Sequence, residues 1–417
     1  MTPSGEGAKR LHEALTALQH GDGDRAAAAA AVALELFTTE SDRTGAAAAH
    51  QVLAIAHFGA NRFEEALTHV DMAIPLREST GDAEGLASLW QERMELCLRT
   101  GDLAGARESA EKQVSAAARG TDREAQAHAM HQLSQLLLQT GDDGRAEALV
   151  SEALWLLDGP QHARARSAMH LLYANIWLVR GDHDRALGQG KQGLEMARVA
   201  KNRAAEVDAL HQLGVILAAA GEHGQAVRTL GEALVGRELL KDVEGRAQVL
   251  RELATSEAAL GQMDDAYGHL RYAARSLRDA GNPMGEITML QLILEMAENA
   301  GNSDVTVEAA RAMVDAADRT GDAEAGAGAR FHLATRLVTA GELVEAGKQF
   351  RGAAEAQRAL GLAHEAAVSV GMLGQVLVAT GQREEGVALL RGALAELEAV
   401  GSEAAGMVRE ILAEVGA

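Results

Sequence analysis

Two side chains of this chain have the chemistry of a nucleophile and its base, Cys97 and His57. They stand forty residues apart, and a cysteine activated by a histidine is a familiar catalytic pair. Further steps of forty residues along the sequence reach mostly apolar residues, namely Leu137, Trp177, Leu217, Leu337 and Leu377. In that company a thiol is expected to be a small apolar core residue. The sequence therefore predicts a protein that is not an enzyme, and an enzyme built on Cys97 and His57 is the minor alternative.

Three histidines raise the question of a metal site, because imidazole nitrogens bind transition metals. His128 and His131 are three residues apart and share a helix face. His211 follows His131 by eighty residues, which is two steps of forty. Neighbouring helices pack at about 8–10 Å, whereas metal ligation needs about 2 Å, so His211 is expected to lie too far away. No acidic or cysteine ligand completes the set nearby. No metal and no cofactor are predicted, and hydrogen bonding in a groove or plain surface is preferred for these rings.

These residues belong to a repeat of forty residues that runs from end to end. Stepping by forty gives nine glycines and one asparagine, the residue types that enter a left-handed turn at little cost: Gly21, Asn61, Gly101, Gly141, Gly181, Gly221, Gly261, Gly301, Gly341 and Gly381. Five residues later the side chain is always small, from Ala26 to Gly386. Twelve residues after the turn it is again small, and only Gln113 and Met313 break that column.

A second set of turn signals lies halfway between the first, so turns come every twenty residues. The segments between turns carry apolar residues at helical spacing, as in Val207, Leu210, Leu213 and Leu217. Several turn glycines are followed by a residue suited to cap the next helix, namely Asp102, Asp142, Asp182 and Asn302. The pattern predicts one all-α domain over residues 1–417, with ten helix hairpins at about 7–400 and a capping helix at about 403–415.

Composition excludes several classes of partner. The chain has 39 Lys and Arg against 60 Asp and Glu, a net charge of −21, which disfavours nucleic acid and anionic lipid. No apolar run of signal-peptide or membrane-spanning length is present in the sequence. The single cysteine fits a reducing compartment, so a cytoplasmic protein is expected, and the alanine- and glycine-rich composition hints at a bacterial source.

The repeat itself resembles a known one. Eight residues before the turn stand Leu133, Leu213 and Leu253, followed by a small residue, and the turn glycine is followed by the two alanine columns. This set is similar to the tetratricopeptide repeat (TPR), in a forty-residue form like that of kinesin light chains and bacterial regulatory arrays. The resemblance covers essentially the whole chain. It implies a right-handed superhelical solenoid whose first helices line an inner, ligand-binding face.

The stripe expected on that inner face lies ten, six and thirteen residues before each turn, because offsets of three and four share a helix face. Its side chains are rich in amides and imidazoles, which both donate and accept hydrogen bonds, as an extended peptide requires. Asparagines in a similar groove clamp peptides in bacterial pheromone receptors of this repeat class, which draws attention to Asn175. The candidate binding residues are Gln91, Glu95, His128, His131, Gln135, Asn175, His211, Arg251, Thr255, Gln291 and Glu295.

The later half of the groove has acidic residues near Arg251, namely Glu252, Glu257, Glu295 and Glu298. Glu257 and Glu298 break the apolar columns and are expected to be exposed if the superhelix opens there. This half of the groove is predicted to favour a partner with basic residues.

The sequence thus predicts a scaffold or adaptor that binds another protein or a peptide. A sensory array that binds a peptide or small ligand and relays the signal to a separate effector is the main alternative. Self-association through exposed ends is a further possibility.

Overall fold

The computed structural model describes residues 3–416, so residues 1, 2 and 417 of the predicted domain lie outside the described part. Within residues 3–416 the regular structure consists of 21 α-helices and one 3₁₀ helix, with no strand. The prediction of an all-α array of helix hairpins is confirmed. The handedness of the superhelix and the single domain over 1–417 stay predictions.

The chain divides into two compact units, Met1–Ala219 and Ala220–Ala417. The helices of the first unit are α1 (Pro3–Gln19), α2 (Gly23–Thr39), α3 (Arg43–Gly59), α4 (Phe63–Thr80), α5 (Ala83–Thr100), α6 (Leu103–Ala117), α7 (Arg123–Gln139), α8 (Asp143–Leu156), α9 (Ala163–Val179), α10 (His183–Val199) and α11 (Arg203–Ala219), with a 3₁₀ helix at Pro160–His162. In each hairpin the odd-numbered helix comes first.

The helices of the second unit are α12 (His223–Leu240), α13 (Val243–Ala259), α14 (Met263–Asp279), α15 (Pro283–Asn299), α16 (Ser303–Thr320), α17 (Ala323–Thr339), α18 (Leu343–Ala359), α19 (Ala363–Ala379), α20 (Arg383–Ala399) and α21 (Ala404–Glu414). The last of these occupies the segment expected as a capping helix. It buries Val408, Ile411 and Leu412 against Leu390 and Leu397 of α20.

The turns have the conformation that their residues favour. All ten positions of the turn column have positive φ, including Asn61 at 57°. Asp102, Asp182 and Asn302 each accept a hydrogen bond from the backbone N–H three residues later, as expected of a cap. Asp142 makes no such bond, and its carboxylate instead accepts from Arg107 at 3.2 Å. The expected cap at Asp142 is therefore wrong, because an arginine of the preceding hairpin takes the carboxylate.

Small residues lie where the helices approach most closely. The alanines five and twelve residues after the turn are almost completely buried, and they allow close approach because a methyl group is all that separates the backbones. They are Ala26, Ala66, Ala106, Ala146, Ala186, Ala226, Ala266 and Ala346 in the first column and Ala33, Ala73, Ala153, Ala233, Ala273, Ala353 and Ala393 in the second.

The hydrophobic core is shared between successive hairpins. One cluster in the first unit runs from Met94 on α5 to Ile176 on α9. In the second unit another runs from Ala247 on α13 to Ala316 on α16. Since no hairpin buries its apolar face alone, neighbouring hairpins stabilise each other and hold their first helices in register.

A close backbone contact between α19 and α20 predicts opposite effects for two glycines on α20. A Cβ on Gly386 would lie 2.6 Å from the carbonyl oxygen of Gly374, whereas a Cβ on Gly392 meets nothing within 4 Å. Gly386→Ala should lower the free energy of unfolding by about 1–3 kcal/mol, because backbone has to move. Gly392→Ala should raise it by about 1 kcal/mol through helix propensity. Thermal and urea unfolding of both variants tests this, and equal effects in the two would contradict the assigned contact.

Candidate functional site

Two adjoining cavities lie on the first-helix face of the first unit, between α3, α5 and α7. The apolar cavity has a volume of about 340 Å³ and is lined mainly by Ile55, Phe58, Met94, Leu96, Gln91, Glu92, Glu95 and Gln132. The amide cavity has a volume of about 260 Å³, and its polar lining includes Glu84, Ser88, Gln91, Gln113, Asp122 and His128. The predicted residues Gln91, Glu95 and His128 are thus brought together, and Gln91 lines both cavities.

A buried glutamine forms part of the wall of the amide cavity. Gln113 on α6 is only 3% exposed. Its Nε2 donates to Gln132 Oε1 at 2.8 Å and, more weakly, to Gln91 Oε1 at 3.5 Å. Its Oε1 has no hydrogen-bond partner. A buried oxygen left without a donor costs about 1–3 kcal/mol, so the amide cavity contains an unsatisfied acceptor.

Local sequence explains how this amide reaches the first helices. Gln113 occupies the column that holds alanine or glycine in every other hairpin except at Met313. A longer side chain at that position has to extend between the neighbouring first helices, here α5 and α7. The break in the small-residue column is therefore a polar group placed at the centre of the site.

Further amide contacts join first helices of successive hairpins. Gln51 Nε2 donates to Glu92 Oε1, and Gln212 Nε2 donates to Asn175 Oδ1. Glu92 Oε2 has no partner. Burial raises the pKa of the Glu92 carboxyl above its usual range, while the hydrogen bonds from Gln51 and Ser88 oppose that rise. The wall of the apolar cavity therefore carries a carboxyl group that is only partly satisfied.

The remaining predicted residues of the first unit lie in varied surroundings. His131 and His211 are half-buried, Gln135 is exposed, and Asn175 is half-buried and engaged by Gln212. Glu95 forms an ion pair with Arg99 at 3.0 Å. Their part in binding stays a prediction.

The predicted residues of the second unit are all exposed. Arg251 pairs with Glu252 at 2.7 Å, and Thr255 Oγ1 donates to the carbonyl oxygen of Arg251 at 2.9 Å. Gln291 and Glu295 lie on α15. These four residues stay predictions as well.

One expectation about the acidic half is wrong. Glu257 is buried, not exposed, and its Oε2 lies 2.8 Å from His269 Nδ1. Glu298 is exposed, but it pairs with Arg336 at 2.8 Å. The repeat pattern did not predict these partners, because His269 and Arg336 lie on other helices than the glutamates they contact.

Sequence reasoning missed Glu92, Gln132 and the inward role of Gln113. A signal was present, since nine residues before the turn the chain has Glu92, Gln132, Gln212 and Glu252, a polar series that Leu172 interrupts. These residues lie next to the ones chosen, ten before the turn. Glu92 and Gln212 make the contacts between first helices described above, and Gln132 accepts a hydrogen bond from Gln113 of α6.

The structure places Cys97 in the core and His57 against another histidine. Cys97 is buried as expected, Arg93 Nη1 lies 3.9 Å from its sulfur, and burial raises the pKa of the thiol. A thiol with a raised pKa is a poor nucleophile at neutral pH. His57 stacks on His69, and His69 Nδ1 lies 3.0 Å from Nδ1 of the buried His50. His170 is buried as well, and its Nδ1 lies 2.8 Å from Gln189 Oε1.

Across the described residues, no group of three or more His, Cys, Asp or Glu side chains is arranged to hold a metal ion. Among the helices of residues 3–416, none is both long enough and apolar enough to cross a membrane.

Comparison with solved structures identifies the fold. The apo form of RapI matches with a TM-score of 0.55 and 15% identity, over 85% of this chain and 98% of that one. The chain has the tetratricopeptide-repeat fold. Aspartyl phosphate phosphatase F from Bacillus subtilis matches this TPR array with a TM-score of 0.50 and 13% identity, over 86% and 95% of the two chains.

A third match is a signal transduction ATPase with numerous domains that carries a tetratricopeptide repeat sensor, from Pyrococcus horikoshii. Its TM-score is 0.50 and its identity 13%, and the TPR array covers 54% of its length. No protein family and no curated protein matches the sequence. At these identities the similarity shows the fold alone.

The histidine beside the site predicts a pH-dependent stability. Burial, helped by the neighbouring His128, lowers the pKa of His131 from 6.5 to about 4. Between these values the unfolded chain binds a proton that the folded chain refuses, so His131 should make stability fall as pH falls from 6.5 to 4. His131→Gln should make that fall less steep. Urea unfolding at several pH values tests this, with Gln135→Ala as the control that keeps the wild-type slope; an unchanged slope in His131→Gln would refute the assignment.

Proposed function

We propose that this TPR array is an adaptor that binds a peptide segment of another protein at the two cavities between α3, α5 and α7. The observation that carries the proposal is the buried Gln113, whose Oε1 lacks a donor in the wall of the amide cavity. Folding leaves this acceptor unsatisfied at a cost, and a backbone N–H of a bound peptide is a group of the kind that would satisfy it.

The two cavities suit different parts of a peptide. The apolar cavity offers Ile55, Phe58 and Met94 to a side chain, and its volume of about 340 Å³ is within the range of small-ligand pockets. Gln91 and Gln132 supply both donors and acceptors at its rim. An extended peptide presents alternating side chains and a backbone with both kinds of group, so this combination favours a peptide over a purely apolar ligand.

We propose binding without catalysis. Support comes from the burial and raised pKa of Cys97, which oppose a thiolate nucleophile. One structural neighbour is named a phosphatase, so the fold by itself does not decide the question. Cys97→Ala is expected to leave binding intact.

A protein partner is also proposed over nucleic acid or membrane, on the basis of the net charge of −21. A partner with basic residues would suit the partly satisfied Glu92 better than the paired Glu252, Glu257 and Glu298. The cytoplasmic location expected from the single cysteine belongs to the same proposal.

The sensory alternative has one observation in its favour. A neighbour of similar fold is named for a tetratricopeptide repeat sensor attached to an ATPase. If the array works in this way, the bound peptide should change its small-angle scattering profile, whereas an adaptor should bind with its profile unchanged.

The test uses Gln113→Met, which places at this position the residue found in the same column at Met313. Met is similar in size and removes the unpartnered oxygen, so folding should be retained. Peptides selected from a random phage-displayed library on the wild-type chain should bind this variant at least about tenfold more weakly, as expected when a buried hydrogen bond to the ligand is lost. Fluorescence anisotropy measures the affinity.

Met313→Gln is the matched control, since it adds an amide in the second unit and leaves the proposed site unchanged. Asn175→Ala tests whether the site extends to α9. If the library yields no binding peptide, or if every selected peptide binds Gln113→Met as tightly as the wild-type chain, the proposed function is wrong.

A further inference from the structure

Trp155 is exposed at a position where the array requires no apolar residue. It lies in the last turn of α8 and is 83% exposed, the highest value among the large apolar side chains in the described residues. The residues at the same position of the other hairpins are also exposed: Glu35, Pro75, Ser115, Glu195, Val235, Arg275, Asp315, Glu355 and Ala395. Packing of the hairpins therefore does not account for a tryptophan in this column.

The chain around Trp155 departs from the geometry used elsewhere. Most turns that follow a hairpin have a residue with positive φ twenty positions after the turn glycine or asparagine. These residues are Ser41, Gly81, Lys201, Lys241, Gly281, Gly321, Gly361 and Gly401. The two turns without it are those before α7 and before α9. In the second of these, α8 ends early at Leu156, Gly159 has a φ of 96°, and a 3₁₀ helix follows. His162 of that helix contacts Glu124 of α7 at 2.8 Å, which ties the two irregular turns together.

These two turns border a cavity of about 410 Å³. Its walls are Arg123 at the start of α7, the segment 154–158 with Trp155, and Arg166 on α9. Arg166 Nε is buried without a hydrogen-bond partner. Elsewhere in the array arginines pair with carboxylates of the neighbouring hairpin, as Arg180 does with Glu147 at 2.6 Å. The residues that line the cavity thus include two arginines and one carboxylate, Asp158, in a strongly acidic chain.

We propose that this surface, formed by Arg123, Trp155 and Arg166, is a second docking site, which binds an acidic segment of a partner protein. The indole would cover an apolar side chain, and the guanidinium groups would bind a carboxylate beside it. Tryptophan and arginine are the residues that most often dominate the energy of an interface, and arginine binds carboxylates through paired hydrogen bonds. The surface shares no lining residue with the apolar and amide cavities, so it would allow the adaptor to hold two segments at once.

The experiment selects a random phage-displayed peptide library on the full chain and screens the bound peptides against Trp155→Ala. Peptides that depend on Trp155 should carry Asp or Glu next to Leu, Ile or Phe. Their dissociation constants should rise about thirtyfold in Trp155→Ala, the change typical of an interface hot spot. Arg166→Gln should weaken the same peptides, and added salt should weaken their binding to the wild-type chain.

Val235→Ala is the matched control, since Val235 has the same position in a later hairpin and is 54% exposed. It should bind these peptides as the wild-type chain does, and so should Gln113→Met, which separates this site from the amide cavity. The Trp155→Ala variant should keep the wild-type melting temperature, because the side chain is largely in solvent.

Three results would overturn the inference. The first is that no selected peptide depends on Trp155, and the second is that the dependent peptides carry Lys or Arg in place of acidic residues. The third is a dimer of the wild-type chain, detected by light scattering, that Trp155→Ala dissociates, since the surface would then join two copies of this chain.

Discussion

Close approach of helices across alanine is the constraint on which this structure depends. Two columns of small residues, five and twelve positions after each turn glycine, are almost completely buried wherever they hold alanine. A larger side chain at these positions would force the backbones apart, because interiors are packed too densely to absorb it. The forty-residue period is therefore maintained by packing, and the first helices of successive hairpins are held in a common register within each unit.

That register is what allows side chains far apart in sequence to form one site. Gln51 reaches Glu92, and Gln113 reaches both Gln91 and Gln132, because each hairpin places the same positions beside those of its neighbour. The site then arises from a departure from the packing rule. Gln113 replaces a small residue in the second column, and its Oε1, buried without a donor, lowers the stability of the folded chain.

Ion pairs also connect neighbouring hairpins. Arginines and carboxylates about one repeat apart form ion pairs, for example Arg271 with Glu308 and Arg311 with Glu342. Pairs of this kind on an exposed surface contribute little stability, but they neutralise charge locally. Against that background, buried polar atoms without a hydrogen-bond partner, such as Arg166 Nε and Gln113 Oε1, are informative because the regular repeat does not need them.

The sequence alone determined the all-α hairpin array, the left-handed turns, the alanine contacts and the buried state of Cys97, since each follows from a residue type recurring at a fixed interval. It also singled out Gln91, Glu95 and His128, which line the two cavities. Only the tertiary structure decided that Gln113 lies under Gln91 and Gln132, that Glu257 is buried beside His269, and that Trp155 borders Arg123 and Arg166. The physical reason is that periodicity specifies which positions of a helix face its neighbours. Contacts between particular side chains depend on the lengths and rotamers of those side chains and on the two irregular turns. A repeating pattern does not specify these features, because they differ from one repeat to the next.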